Sequence, residues 1–493
     1  MEKYDLIIIG AGPSGYAAAM RAMDFKKKTL LIERNMVGGA GVTNGALSSK
    51  TWWELSRETR QINSNFERYH IPKPEIDFLE IKQLVNSAVN NKKKLLTDHM
   101  SKLNGSRYGT LLNFKKGEAM LLSKNEVQIS GEGRSEVVYG DYIILAAGSR
   151  PRKLPDIPID EKYVLTSEGI EGLDKFPESM VIVGAGVIGC EYATIFSGFG
   201  QTNVNIIDKG NRILPFEDED IVQVIENNME ANGVNIHRNS RLFNMRVEDG
   251  RVVYELEYDD GHHEVHNVEK ALVSVGRVPN YEGLWSEDLD IDLTSAGIKD
   301  DQTQTSVSNI YAVGDITADI ALVNVGELEG RHAVEKIFSK PLKPLVYENI
   351  STIMFLHPEV AGVGLNEIQA KKMGIDYKVV SLDYSCITRA IAERNTQGFI
   401  KLLVTDDEEM KILGMRVVGN HASSAIQAVA LLISMDKGIE ELAECVHPHP
   451  SITEGIQECV RMLLGKSMLK PSALKGILSC RRCCSGAYSD IEF

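Results

Sequence analysis

A chain of 493 residues is long enough to bury a large core and, at about 150 residues per domain, implies roughly three domains. Its 54 basic and 69 acidic residues leave a net charge of −15, which argues against a protein that tracks nucleic-acid phosphates. With 43% hydrophobic and 25% charged residues it reads as ordinary globular matter, and no membrane span is expected, because the longest apolar run, Ala425 to Met435, is short and broken by Gln427 and Ser434.

In chain order, an acid at Glu2 comes first, with no basic segment or cleavage site before the first apolar run, so a cytoplasmic location is expected. That run, Tyr4 to Ile9, turns through Gly10-x-Gly12-x-x-Gly15 into a helical stretch, and a second run, Thr29 to Ile32, is closed by Glu33. The same pattern returns at Met180 to Val183, Gly184-x-Gly186-x-x-Gly189 and Val204 to Ile207, closed by Asp208. This is the βαβ dinucleotide pattern. The first glycine makes the tight turn, the second lets a pyrophosphate approach the backbone, and the third lets helix and strand pack closely. The helix N-terminus faces the phosphates, while the terminal carboxylate accepts from a ribose hydroxyl. An α/β fold with two Rossmann-like dinucleotide-binding domains follows. At the second, the Asp208 carboxylate would repel a 2′-phosphate, which favours NAD(H) over NADP(H).

The seven cysteines are too few and too scattered for a secreted disulfide scaffold. None precedes Cys190, and Cys480, Cys483 and Cys484 gather near the far end.

Further motifs are Gly38-Gly39 through Ser49-Lys50, Ala146-Ala-Gly-Ser-Arg-Pro151, Ser274-Val-Gly-Arg-Val-Pro-Asn280, Tyr311-Ala-Val-Gly-Asp315, His357-Pro-Glu-Val-Ala361 and His447-Pro-His-Pro-Ser-Ile-Thr-Glu454. On these stretches the chain resembles the pyridine nucleotide-disulfide oxidoreductase family over nearly its whole length, and most of all its dihydrolipoamide dehydrogenase branch. The resemblance implies an FAD-binding domain split between residues 1–150 and 280–345, with an NAD(H)-binding domain over 151–279. A C-terminal α+β dimerisation domain over 346–470 would make a homodimer, followed by a cysteine-containing tail, 471–493. FAD contacts are implied at Gly10, Gly12, Gly15, Glu33, Arg34, Gly39, Lys50, Ala119, Ala147, Gly148 and Asp315. NAD contacts are implied at Gly184, Gly186, Gly189, Asp208 and Gly276. Lys50 and Glu191 would pair beside flavin N5, and His449, held by Glu454, would shuttle protons across the dimer. No metal is expected.

One segment departs from the family. There, Gly-Gly is followed by Cys-x-x-x-x-Cys at a helix start, a redox disulfide that takes electrons from the flavin. Aligned on Gly38-Gly39 and Ser49-Lys50, those positions hold Gly41 and Ala46, neither of which supplies the thiolate that disulfide exchange needs. The expected protein is an FAD-dependent NAD(P)H oxidoreductase that passes hydride from NADH to FAD and on to a non-disulfide small-molecule acceptor such as a quinone. Three alternatives stay open: exchange like that of soluble pyridine nucleotide transhydrogenases, mercuric reductase-like use of the terminal cysteines, and a non-catalytic flavin and NAD sensor. Arg481 and Arg482 would favour thiolate in that tail. Against this stands a disordered chain end with incidental cysteines.

Two smaller signals read as structural. Trp52-Trp53 follow Lys50 and are expected in the core. His262, His263 and His266 surround an Asp259-Asp-Gly261 hairpin turn and are expected to be exposed.

Overall fold

The computed structural model of the protein describes residues 1–70, 72, 74–131, 133–317, 320–339 and 343–491. The chain divides into two compact units, the first comprising Met1–Pro177, Met245–Val252 and Glu269–Leu345, the second Glu178–Asn244, Val253–Val268 and Val346–Phe493.

The first unit is built on parallel strands in the order Leu112–Lys116, Thr29–Glu33, Glu2–Ile9 and Arg134–Leu145, with Ile310–Ala312 on the far side of the last. Thr29–Glu33 is buried along its whole length, as befits a strand covered on both faces. Helix Pro13–Asp24 makes the crossover between Glu2–Ile9 and Thr29–Glu33, burying Gly15, Ala18, Ala19 and Ala22. These small residues let helix Val323–Phe338 come unusually close: a Cβ on Gly330 would lie 2.2 Å from the Ser14 carbonyl oxygen. Helices Ala46–Asn65 and Phe78–Asn104 fill the connection to Leu112–Lys116. Trp52 and Trp53 are core residues, as expected, with Trp52 tilted on Phe78 at 5.6 Å.

The second unit repeats the motif. Strands Ser179–Val183, Asn203–Ile207 and Asn235–His237 run parallel, and helix Val187–Phe199 connects the first two. That helix is apolar nearly all round and correspondingly buried. The hairpin turn at Asp259–Gly261 forms as read, with Gly261 at φ +84. Downstream lies an antiparallel sheet ordered Thr352–Met354, Val360–Gly364, Ile412–Val418, Phe399–Thr405, Tyr377–Asp383, Leu478–Cys484 and Ala487–Asp490. Helix Thr453–Leu463 covers it with Ile456, Cys459, Val460 and Leu463, one stripe at helical spacing.

The chain end is not a disordered tail. Leu478–Cys484 pairs along its length with Tyr377–Asp383, and a two-residue turn, Ser485 and Gly486 at φ 50 and 82, returns the chain as Ala487–Asp490. Positive φ at both turn residues matches the twist of a tight hairpin. Among the described residues, no helix is long and apolar enough to cross a membrane.

Candidate functional site

The first cradle forms where strand Glu2–Ile9 ends. Gly10 takes φ +106, and a Cβ there would lie 2.2 Å from the Ala146 carbonyl oxygen, so the turn admits only glycine. Gly15 is closed in the same way, 1.9 Å from the Gly10 oxygen, whereas nothing lies within 4 Å of a Cβ on Gly12. That opening stands at the N-terminus of helix Pro13–Asp24, where free amides and the helix dipole suit a pyrophosphate. A Cβ on Gly39 would come within 3.0 Å of Gly12 Cα, which brings the Gly38–Gly39 turn over the same opening.

Glu33 closes the neighbouring strand and is almost wholly buried. Its Oε2 accepts the Ala11 amide at 2.8 Å and its Oε1 the Asn35 amide at 2.7 Å. Each oxygen keeps a further lone pair for a ribose hydroxyl. The Gly117 amide donates to the Glu33 carbonyl at 3.0 Å, bringing strand Glu118–Leu121 and its Ala119 alongside; Arg34 is exposed, 3.8 Å from Glu118.

The second unit reproduces this arrangement. Gly184 takes φ +102, nothing lies within 4 Å of a Cβ on Gly186, and Gly189 is buried in the helix that follows. Asp208 Oδ2 accepts the Ala185 amide at 2.8 Å, and Oδ1 the Gly210 amide at 3.0 Å. Both cradles therefore fit a dinucleotide: an open phosphate seat, a helix N-terminus and a carboxylate fixed by the turn itself.

Beyond the first sheet, Asp315 Oδ2 accepts the Ser149 hydroxyl at 2.7 Å, and Arg277 Nε donates to that Ser149 oxygen at 2.7 Å. Ser149 and Arg277 lie inside the Ala146–Pro151 and Ser274–Asn280 motifs, but their link to Asp315 exists only in three dimensions and leaves no signal in the sequence. Ala147 accepts from the Asn280 amide group at 2.9 Å. Gly148 and Gly276 both take positive φ, 65 and 100, with no atom within 4 Å of a Cβ on Gly148. A cleft of about 820 Å3 beside this bridge is lined by Arg150, Arg152, Lys153 and Arg277 among others; Arg150 is held by Glu282 through two bonds of 3.0 and 2.9 Å.

Lys50 sits near the start of helix Ala46–Asn65, its Nζ 3.3 Å from Ser49 Oγ, in the first unit. Glu191, in the second unit, is buried and accepts the Phe355 amide at 3.0 Å. His449 Nδ1 donates to Glu454 Oε1 at 2.8 Å, while the Ser451 amide donates to Oε2 at 2.9 Å. Partial burial acts to raise the Glu454 carboxyl, but these bonds and the two nearby histidines hold it below its ordinary value. The His449 side chain is 67% exposed.

Position 41 is tight. A Cβ on Gly41 would lie 2.6 Å from Pro13 Cγ, in a ring that cannot swing aside. The terminal thiols form no disulfide. Side chains alternate along strand Leu478–Cys484, so Cys480 and Cys483 enter opposite faces of the sheet, each within a separate apolar cluster. Cys480 and Cys484 share a face but stand about 13 Å apart along the strand. Burial pushes the Cys480 thiol up to about 12, the reverse of an arginine-activated thiolate. All seven cysteines are free.

Comparison with known proteins matches residues 4–330 to the profile of the pyridine nucleotide-disulphide oxidoreductases and residues 350–460 to the dimerisation domain of that family. The chain is 32% identical over 466 residues to a dihydrolipoyl dehydrogenase of Geobacillus stearothermophilus, covering 94% of this chain and 96% of that protein. It is 30% identical over 470 residues to the one of Bacillus subtilis, covering 94% and 96%. A leghemoglobin reductase of Glycine max is 28% identical over 462 residues, covering 93% and 87%. Among solved structures, the LpdA protein of Mycobacterium tuberculosis superposes with a TM-score of 0.84 at 24% identity, covering 94% of this chain and all of that one. The HOCl-induced flavoprotein disulfide reductase RclA of Escherichia coli gives 0.81 at 23% identity, covering 93% and 100%. These two likenesses describe the fold.

Proposed function

The chain belongs to the pyridine nucleotide-disulphide oxidoreductase family, and from that premise we propose that it is an FAD-dependent NAD(P)H oxidoreductase, a homodimer, that moves reducing equivalents from NADH to a non-disulfide small-molecule acceptor such as a quinone. The observation that carries this reading is Gly41. Beside two cradles that fit a dinucleotide, the segment before Lys50 holds Gly41 where a thiol would be needed, and a Cβ there would lie 2.6 Å from Pro13 Cγ, which supports an acceptor other than a disulfide.

The flavin, when bound, supplies a two-electron store that exchanges hydride with nicotinamide on one side and an acceptor on the other. The chain's residues do the rest. Glu33 and Asp208 hold adenosine riboses, the helix N-termini at Gly12 and Gly186 take the pyrophosphates, and Asp315, oriented by Ser149, takes a ribityl hydroxyl. Lys50 brings a positive charge that favours a negative isoalloxazine, and Glu191 is the carboxylate proposed to pair with it. Glu454 fixes the tautomer of His449, leaving the other nitrogen to pass a proton to an acceptor across the dimer.

Steady-state NADH oxidation by the FAD-loaded protein tests this reading. Turnover with a quinone that exceeds turnover with lipoamide at least tenfold is expected. A faster lipoamide rate would defeat it.

A further inference from the structure

The hairpin that follows the second nucleotide motif carries a cluster unrelated to either cradle. On strand His263–Val268, Glu264 and His266 are two residues apart and share a face. Tyr254 and Tyr258 share a face of the preceding strand by the same rule. His237 ends strand Asn235–His237, held in register opposite Ile207. One ligand atom from each of His237, Glu264 and His266 lies within 4.8 Å of the other two.

The surroundings orient these groups. Tyr258 donates its hydroxyl to Glu264 Oε2 at 3.0 Å and stands 2.9 Å from His237 Nδ1. Tyr254 stacks on the His266 ring at 5.0 Å and 18°, which fixes that imidazole's plane. His237 Nε2 is shut off from solvent and has no hydrogen-bond partner. A third imidazole is near: His262 Nε2 lies 3.6 Å from Glu264 Oε1, its ring stacked on Tyr258 at 4.2 Å.

We propose that His237, Glu264 and His266 form a site for a divalent transition-metal ion that clamps the hairpin to strand Asn235–His237. Two imidazoles and one carboxylate are a donor set that suits zinc and its neighbours, with a fourth position left for water or His262. Hard cations such as calcium want more oxygens than this cluster offers. Tyr258 plays the outer part, holding a ligating carboxylate by a hydrogen bond. The acidic group Asp218, Asp220 and Glu367 is not a rival, since Lys401 Nζ already stands 2.6 to 2.9 Å from all three carboxylates.

The test is equilibrium dialysis of the chelator-stripped, full-length protein against Zn2+, with bound metal counted. One zinc per chain is expected, with at least tenfold weaker binding in His266→Ala and in His237→Ala and no change in His421→Ala, which lies outside the cluster. Less than a tenth of an equivalent bound, or full binding that survives both cluster variants, overturns the proposal. Because His237→Ala removes a partly buried side chain and can unfold locally, Co2+ loading of the unaltered protein provides the second readout. Ligand-field bands without a thiolate charge-transfer band are expected, and a thiolate band would place the metal on cysteine and overturn the assignment.

Discussion

The backbone amide of Ala185 donates to Asp208 Oδ2 at 2.8 Å, so the carboxylate that ends one strand is tied to the glycine turn that ends its neighbour. The proposed ribose acceptor and the proposed phosphate seat are thereby tied together. Removing this carboxylate in Asp208→Ala frees the turn and deletes a charged acceptor worth about 1.5–3 kcal/mol. The KM for NADH should rise about tenfold to a hundredfold with kcat less affected, and the preference for NADH over NADPH should shrink, as steady-state kinetics with both nucleotides will show.

Lys401 is fully buried among Asp218, Asp220 and Glu367. Glu367 also accepts the hydroxyls of Tyr377, at 3.0 Å, and of Tyr488 in the terminal strand. Lys401→Met leaves two buried carboxylates uncompensated, and a loss of about 3–5 kcal/mol in chemical denaturation is expected. Burial opposes ionisation of Glu367, but the Lys401 charge and the two tyrosine bonds hold its carboxyl below the ordinary 4.5. A depressed carboxyl stabilises above its unfolded value, so this contribution is lost as pH falls through the still lower folded value. Lys401 is raised above 10.5, so its share is present below that pH and is lost only as pH climbs through the higher folded value. Unfolding midpoints should therefore fall at acid pH, and less so in Lys401→Met.

Cys480 and Cys483 are buried in apolar clusters, and Cys484 is partly exposed. Cys480→Ser places a hydroxyl in an apolar cluster and should cost about 1–3 kcal/mol of stability with turnover per folded enzyme unchanged. Cys484→Ser, at a partly exposed position, should change neither. A loss of turnover in the Cys484 variant would return the tail to the electron path.

Gly41→Cys forces a side chain against Pro13 at 2.6 Å, and overpacking of this kind costs about 1–3 kcal/mol. Ala46→Cys, at the half-buried first position of helix Ala46–Asn65, should be nearly neutral. The double variant is expected to gain less than a tenth of its quinone turnover as lipoamide turnover, measured with the same enzyme loading.

What the sequence made legible was local. Gly10 to Glu33 and Gly184 to Asp208 each state strand, turn, helix and acid within a few tens of residues, and each folds as written. Ser149, Arg277 and Asp315 were harder, since their bridge joins segments more than a hundred residues apart. The terminal strand is hard to see in the sequence because its mixture of cysteine and arginine hides an alternating pattern, and its pairing partner, Tyr377–Asp383, lies about a hundred residues upstream. Lys401 gives no sign of burial in an otherwise apolar strand, because its three carboxylates come from two distant segments.

Transfer to a non-disulfide acceptor is tested most directly by anaerobic reduction of the FAD-loaded protein with NADH, followed by rapid mixing with a quinone, NADP+, oxygen or lipoamide while flavin absorbance is followed. The flavin band should bleach with NADH and return fastest with the quinone, with lipoamide leaving it bleached on the turnover timescale. Fast return with lipoamide, or no bleaching by NADH at all, would contradict the proposed activity.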